Sequence, residues 1–125
     1  MTENELSKII VDRSLKIHKT LGPGLLESVY EQVLYHELSK MNLKCERQVG
    51  FPVIYDGIEI ELGFKADIIV EGKVIVELKS VEKILPLHKK QLLTYLKLTG
   101  MRLGLLVNFN TDLIKNGITR IVNNL

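Results

Sequence analysis

Apolar residues recur at helical spacing along the first forty positions and at strand spacing from about position 44 onward. Leu6, Ile9, Ile10, Ile17 and Leu21 fall three or four positions apart, or multiples of that, over residues 5–20. That is the pattern of a helix with one buried face. Thr2 and Glu5 have the spacing of a capping box for its start. Gly22-Pro23-Gly24 breaks the pattern. A second helix is expected over about residues 25–40, with Leu26, Val29, Tyr30, Val33, Leu34 and Leu38 as its apolar face.

The next segments read as strands. CERQVGFPVIY and IEIELGF are joined at Asp56-Gly57, a pair suited to a tight hairpin, and KADIIV and KVIVELK are joined at Glu71-Gly72. Pro86 fits the start of a third helix over 87–99, with Leu92, Leu93 and Leu96 inward and Gly100 ending it. RLGLLVNF is almost continuously apolar, as a strand buried on both faces is. NGITRIVNN is expected to be the last strand. The expected order is α-α-β-β-β-β-α-β-β. Its strand–helix–strand unit near the end favours a parallel pair, so the expected fold class is α/β with a mixed central sheet flanked by helices.

One strand carries an anomaly. In VIVELK, Val74, Val76 and Leu78 share an apolar face, whereas Ile75 gives way to Glu77 and Lys79 on the other. The preceding strand mirrors it. Ala66, Ile68 and Val70 are expected to share one face, and Lys65, Asp67 and Ile69 the other. A two-residue turn at Glu71-Gly72 pairs Asp67 with Val76, and one further loop residue pairs it with Glu77. Two carboxylates on adjacent strands repel unless a cation sits with them. Lys79 partly neutralises such a pair. A divalent ion does so better, and oxygen-only ligands suit Mg²⁺ or Mn²⁺. The same residues also suit a cross-strand salt bridge at a solvated sheet end.

Charge adds a second observation. Residues 1–78 hold 9 Lys/Arg and 13 Asp/Glu, while residues 79–125 hold 8 Lys/Arg against only Glu82 and Asp112. Lys83, Lys89, Lys90, Lys97 and Arg102 form a run without an acid. Such a field attracts phosphates, although a solvated helix face has the same composition. Three Phe, four Tyr and no Trp argue against a base-stacking platform for single strands. His18 and His36 read as ordinary surface or boundary residues, and His88 as a phosphate contact or a helix-end residue. No zinc-ligand spacing, Gly-rich phosphate loop or G-x-S-x-G elbow is present. The lone Cys45 makes no internal disulfide, no apolar run reaches membrane-spanning length, and MTENELSKII lacks the shape of a signal peptide. The expectation is one domain over residues 1–125 in the cytoplasm, with no membrane association.

Asp67 followed by Glu77-Leu78-Lys79 resembles the core of the PD-(D/E)xK nuclease superfamily, with Ala66 where that signature carries proline. GLLESVY, Gly24 to Tyr30, has the form G-x-x-E-x-x-Y and resembles the GxxExxY family grouped with these nucleases. The likeness extends over about residues 5–125. It implies a restriction-endonuclease-like core and metal-dependent hydrolysis of nucleic-acid phosphodiesters, DNA being the favoured substrate. It implies Asp67 and Glu77 as Mg²⁺ or Mn²⁺ ligands, Glu27 near the metal, Lys79 as catalytic lysine and Gln91 as a contacting glutamine. Tyr30 and Gly24 are supporting residues. Lys83, His88, Lys89, Lys90, Lys97 and Arg102 are candidate nucleic-acid contacts. The rival reading is a non-catalytic module that binds nucleic acid or protein on the same fold. A homodimer would present two sites.

Overall fold

The computed structural model describes all 125 residues. Helix α1 runs from Glu3 to Leu21 and α2 from Glu27 to Ser39. Five strands follow: β1 (Cys45–Tyr55), β2 (Ile58–Val70), β3 (Val74–Lys79), β4 (Leu103–Asn108) and β5 (Ile118–Val122). Helix α3 (Pro86–Thr99) connects β3 to β4, and a 3₁₀ turn at Ile114–Gly117 precedes β5. The strands lie in the order β1-β2-β3-β4-β5. Only β3 and β4 are parallel, so the sheet is mixed. The crossover carried by α3 is what makes that parallel pair reachable.

Local chemistry explains most element ends. Thr2 and Glu5 form the expected capping box of α1. Gly100 ends α3 in the left-handed conformation. Asp56 and Gly57 both have positive φ, the geometry of a two-residue hairpin turn, and Tyr55 pairs directly with Ile58. Leu26 departs from expectation. It caps α2 from outside and is 73% exposed, because the chain turns into the helix only at Glu27.

IEIELGF and KADIIV are one strand. Both halves pair with β1 along its length, from Tyr55↔Ile58 to Cys45↔Val70, so nothing breaks the chain between Phe64 and Lys65. The register shifts between Phe51 and Val53. Pro52, which has no N–H to donate, sits at that shift.

Two apolar layers sandwich the sheet. On one face Leu6, Ile10, Tyr30, Leu34 and Leu38 of α1 and α2 pack on Ile68, Val74, Val76, Leu78, Leu105 and Phe109. On the other face Leu92 and Leu96 of α3 pack on Ala66, Ile69, Ile75 and Leu106. Gly104 allows the close approach of α3, since a Cβ there would meet the Leu92 side chain at 2.8 Å.

Strand alternation is not constant. Cys45 packs on the α1/α2 layer and Arg47 bonds to α2, yet Val49 and Phe51 pack on the α3 layer. On β2, Ile68 and Val70 face α1/α2, while Phe64 stacks on Tyr95 of α3 and Ala66 lies in the α3 layer. The pleat therefore inverts at Gln48, whose φ is 50°, and at Asp67 beside it. This corrects the expectation that Ala66, Ile68 and Val70 share a face. It also separates the exposed Lys65 from Ile69.

Buried polar residues tie the helices together. Glu37 of α2 lies 2.8 Å from Lys16, 3.2 Å from Lys40 and 3.5 Å from Arg13. The Lys16 ammonium above all draws its carboxyl down to about 2. His18 is buried rather than at the surface. Its Nε2 lies 2.7 Å from the Thr111 carbonyl and its ring lies near Phe109, joining α1 to the segment after β4. No helix is long and apolar enough to cross a membrane.

Candidate active site

The loop between β2 and β3 has three residues, with Val70 pairing with Val74 and Ile68 with Val76. One step further along that register, Asp67 faces Glu77. There the backbone ladder gives way to side chains. The Asp67 N–H donates to Glu77 Oε2 at 3.1 Å, and the Leu78 N–H donates to Asp67 Oδ2 at 2.9 Å. Each carboxylate is thus held by the other strand's backbone.

Glu77 is 7% exposed. Burial, and then the charge of Asp67, raise its carboxyl far above the ordinary carboxylate range, while Lys79 works weakly the other way. Lys79 is half-buried, and none of the five ion pairs uses it. The Tyr95 hydroxyl is also raised, first by burial and then by Glu77 and Asp67, so α3 presents an aromatic to the field of the pair. Gln91, one turn earlier on α3, is exposed.

Glu27 is the first residue of α2, and its Oε2 accepts the Ser80 N–H at 3.0 Å. Ser80 Oγ donates to the Leu25 carbonyl at 2.8 Å. These bonds fix the start of α2 against the residue that follows Lys79. Tyr30 shapes the approach. Its buried ring stacks on Phe109 at 4.3 Å, and its hydroxyl donates to the Gly22 carbonyl and accepts the Leu25 N–H. Gly24 has a φ of 99°, which side chains rarely adopt. An open cleft of about 660 Å³ is lined by Gly24 to Ser28, Ser80 and Asn110; neither Asp67 nor Glu77 lines it.

Three contributors had no site role assigned from the sequence. Gln48 Nε2 donates to Asp67 Oδ1 at 3.3 Å and to Glu31 Oε1 at 2.5 Å. Glu31 is buried, its other oxygen accepts from Arg47 Nε at 3.1 Å, and the guanidinium lies over Tyr35. Tyr95 is the third. The four-residue step from Glu27 to Glu31 on one helix flank was a legible sign for Glu31. No local pattern announces Gln48, because it acts through a backbone inversion.

The basic residues divide. Lys83 and Lys89 line a cleft of about 280 Å³ with Asn108, Asn116 and Thr119. Lys90 and Lys97 are exposed on α3. His88 Nδ1 accepts the Leu85 N–H and closes the start of that helix. Arg102 donates to the Asn124 carbonyl.

No three His, Cys, Asp or Glu side chains gather as a metal cage by themselves. The donor set nonetheless fits a hard divalent cation. Mg²⁺ is ordinarily held by one or two carboxylates, with waters and substrate phosphates completing the shell. A buried carboxyl whose charge is opposed by a half-buried carboxylate beside it is the environment such an ion relieves.

A mixed five-stranded sheet between helical layers, with this pair where the β2–β3 ladder ends, defines an α/β fold of the restriction-endonuclease-like kind. A family model described as the PD-(D/E)XK nuclease superfamily matches residues 4–121, and the chain belongs to that superfamily. No curated protein matches the chain. No solved structure does so either.

Proposed function

We propose that this protein is a cytoplasmic, divalent-metal-dependent nuclease of the GxxExxY kind, a single catalytic domain acting on DNA. The reciprocal lock of Asp67 and Glu77, with Lys79 on the same strand, carries the reading. Asp67 and Glu77 are the residues to hold Mg²⁺ or Mn²⁺, with Glu27 serving the outer shell. An ion bound there supplies charge that polarises a phosphodiester and acidifies a water.

The chain's own groups do the rest. Lys79 orients the attacking water or offsets charge on the pentacoordinate phosphorus. Gln91 of α3 positions Lys79 or the water, one turn from Tyr95, which lies in the field of the pair. Lys83, Lys89, Lys90 and Lys97 take backbone phosphates without reading sequence, as His88 and Arg102 do with the donors their internal bonds leave free. A homodimer would bring two such sites to one duplex.

The test is incubation with supercoiled plasmid, single-stranded DNA and RNA in Mn²⁺, Mg²⁺ or EDTA, beside Lys79→Ala and Asp67→Ala. The expected result is metal-dependent cleavage, reduced about 100-fold or more in each variant. Binding without cleavage, unchanged by either substitution, would establish a non-catalytic module instead.

A further inference from the structure

We infer that Gln48 is a positioning residue for Asp67, a carboxamide tie between the metal-binding carboxylate and the buried acid Glu31 of α2. The inference rests on the reading of Asp67 as a ligand and adds a residue to it. Four observations converge on Gln48. Its φ of 50° is a left-handed backbone that side chains rarely adopt, and such outliers persist where their surroundings hold them. It stands where the pleats of β1 and β2 invert, so its side chain reaches both Asp67 of the sheet and Glu31 of the helix layer. Both neighbours are carboxylates, which accept and do not donate when ionised. The amide nitrogen must therefore face them, and its two hydrogens serve one acid each. Finally, the preceding residue, Arg47, takes the second oxygen of Glu31, so consecutive residues of β1 hold that acid from both sides.

The consequence falls on Asp67. Its Oδ2 is fixed by the Leu78 N–H and its Oδ1 by Gln48, so the carboxylate plane is set before any ligand arrives. Removing the carboxamide leaves Asp67 with one donor and a free rotation. Partners of this kind ordinarily contribute 10- to 100-fold to metal affinity.

Gln48→Gly separates positioning from mere support of the fold. Glycine relieves the positive φ while it deletes the amide, which offsets part of the cost of taking one donor from the buried Glu31. Mn²⁺ binding to the full chain is measured by titration calorimetry for wild type, Gln48→Gly, Gln48→Ala and Asp67→Asn, with urea unfolding of each in EDTA. The expected result is a Gln48→Gly protein that still unfolds in one cooperative transition, more stable than Gln48→Ala, and that like Gln48→Ala binds Mn²⁺ about 10- to 100-fold more weakly than wild type. Wild-type affinity in Gln48→Gly, together with lost affinity in Asp67→Asn, overturns this inference alone. A wild-type protein that binds no Mn²⁺, or an Asp67→Asn protein that binds it as tightly, overturns the metal site and this inference with it.

Discussion

Glu77→Gln is expected to stabilise the metal-free protein at neutral pH while abolishing the proposed activity. The folded protein keeps this buried carboxyl protonated beyond its ordinary value of 4.5, because burial and Asp67 oppose its charge. The unfolded chain releases the proton near 4.5. The site's contribution is therefore fully present below that pH and is lost as pH rises toward the folded-state value. Each pH unit in that interval removes about 1.4 kcal/mol. By pH 7 the loss approaches about 3 kcal/mol, on the order of 10 °C in midpoint for a chain of this size. Glutamine preserves the shape and its carbonyl still accepts the Asp67 N–H, but it has no proton to lose. Urea unfolding in EDTA from pH 5 to pH 8 should give diverging curves, with the wild type falling below Glu77→Gln as pH rises. A divalent ion at 100 times its dissociation constant should restore about 2.7 kcal/mol to the wild type alone. Parallel curves across that range would refute both the burial argument and the carboxylate repulsion behind it.

Glu37→Gln should cost about 1–2 kcal/mol, discounted because Lys16 and Lys40 are half-exposed. Its carboxyl is depressed, so its contribution is present above 4.5 and fades as pH falls toward about 2; acid titration of stability should show a shallower slope in the variant. Tyr30→Phe keeps the stacked ring but removes two hydrogen bonds to the Gly22–Leu25 turn. A loss of about 1–2 kcal/mol in chemical denaturation is expected. Faster amide exchange at Leu25 should accompany it.

Much of the fold was legible because its signals are local. The capping box at Thr2 and Glu5, the Asp56-Gly57 turn and the Gly100 stop each depend on a few adjacent residues, and each formed as expected. The pairing of Asp67 with Glu77 was legible to within one register step, since only the loop length at Glu71 was open. What escaped depends on distant contacts. IEIELGF and KADIIV look like separate strands until one long partner is seen to pair with both. His18 looks like a boundary residue until the Thr111 carbonyl, far along the chain, is found beside it. Gln48 escaped for the same reason, meeting Glu31 only when the inverted pleat turns β1 toward α2.

The hairpin formed by residues 53–62 has a consequence for handling. Ile54, Tyr55, Ile58, Ile60 and Leu62 are all exposed there, on a ribbon whose root is about 17 Å along β2 from Asp67. Such a ribbon is greasy, yet Pro52 and the neighbouring slip in pairing spoil its outer rim as a template for further strands. The molecule should therefore stick to itself reversibly at high concentration rather than grow fibres. A protease clipping that tip would leave the carboxylates at the far end of the sheet undisturbed.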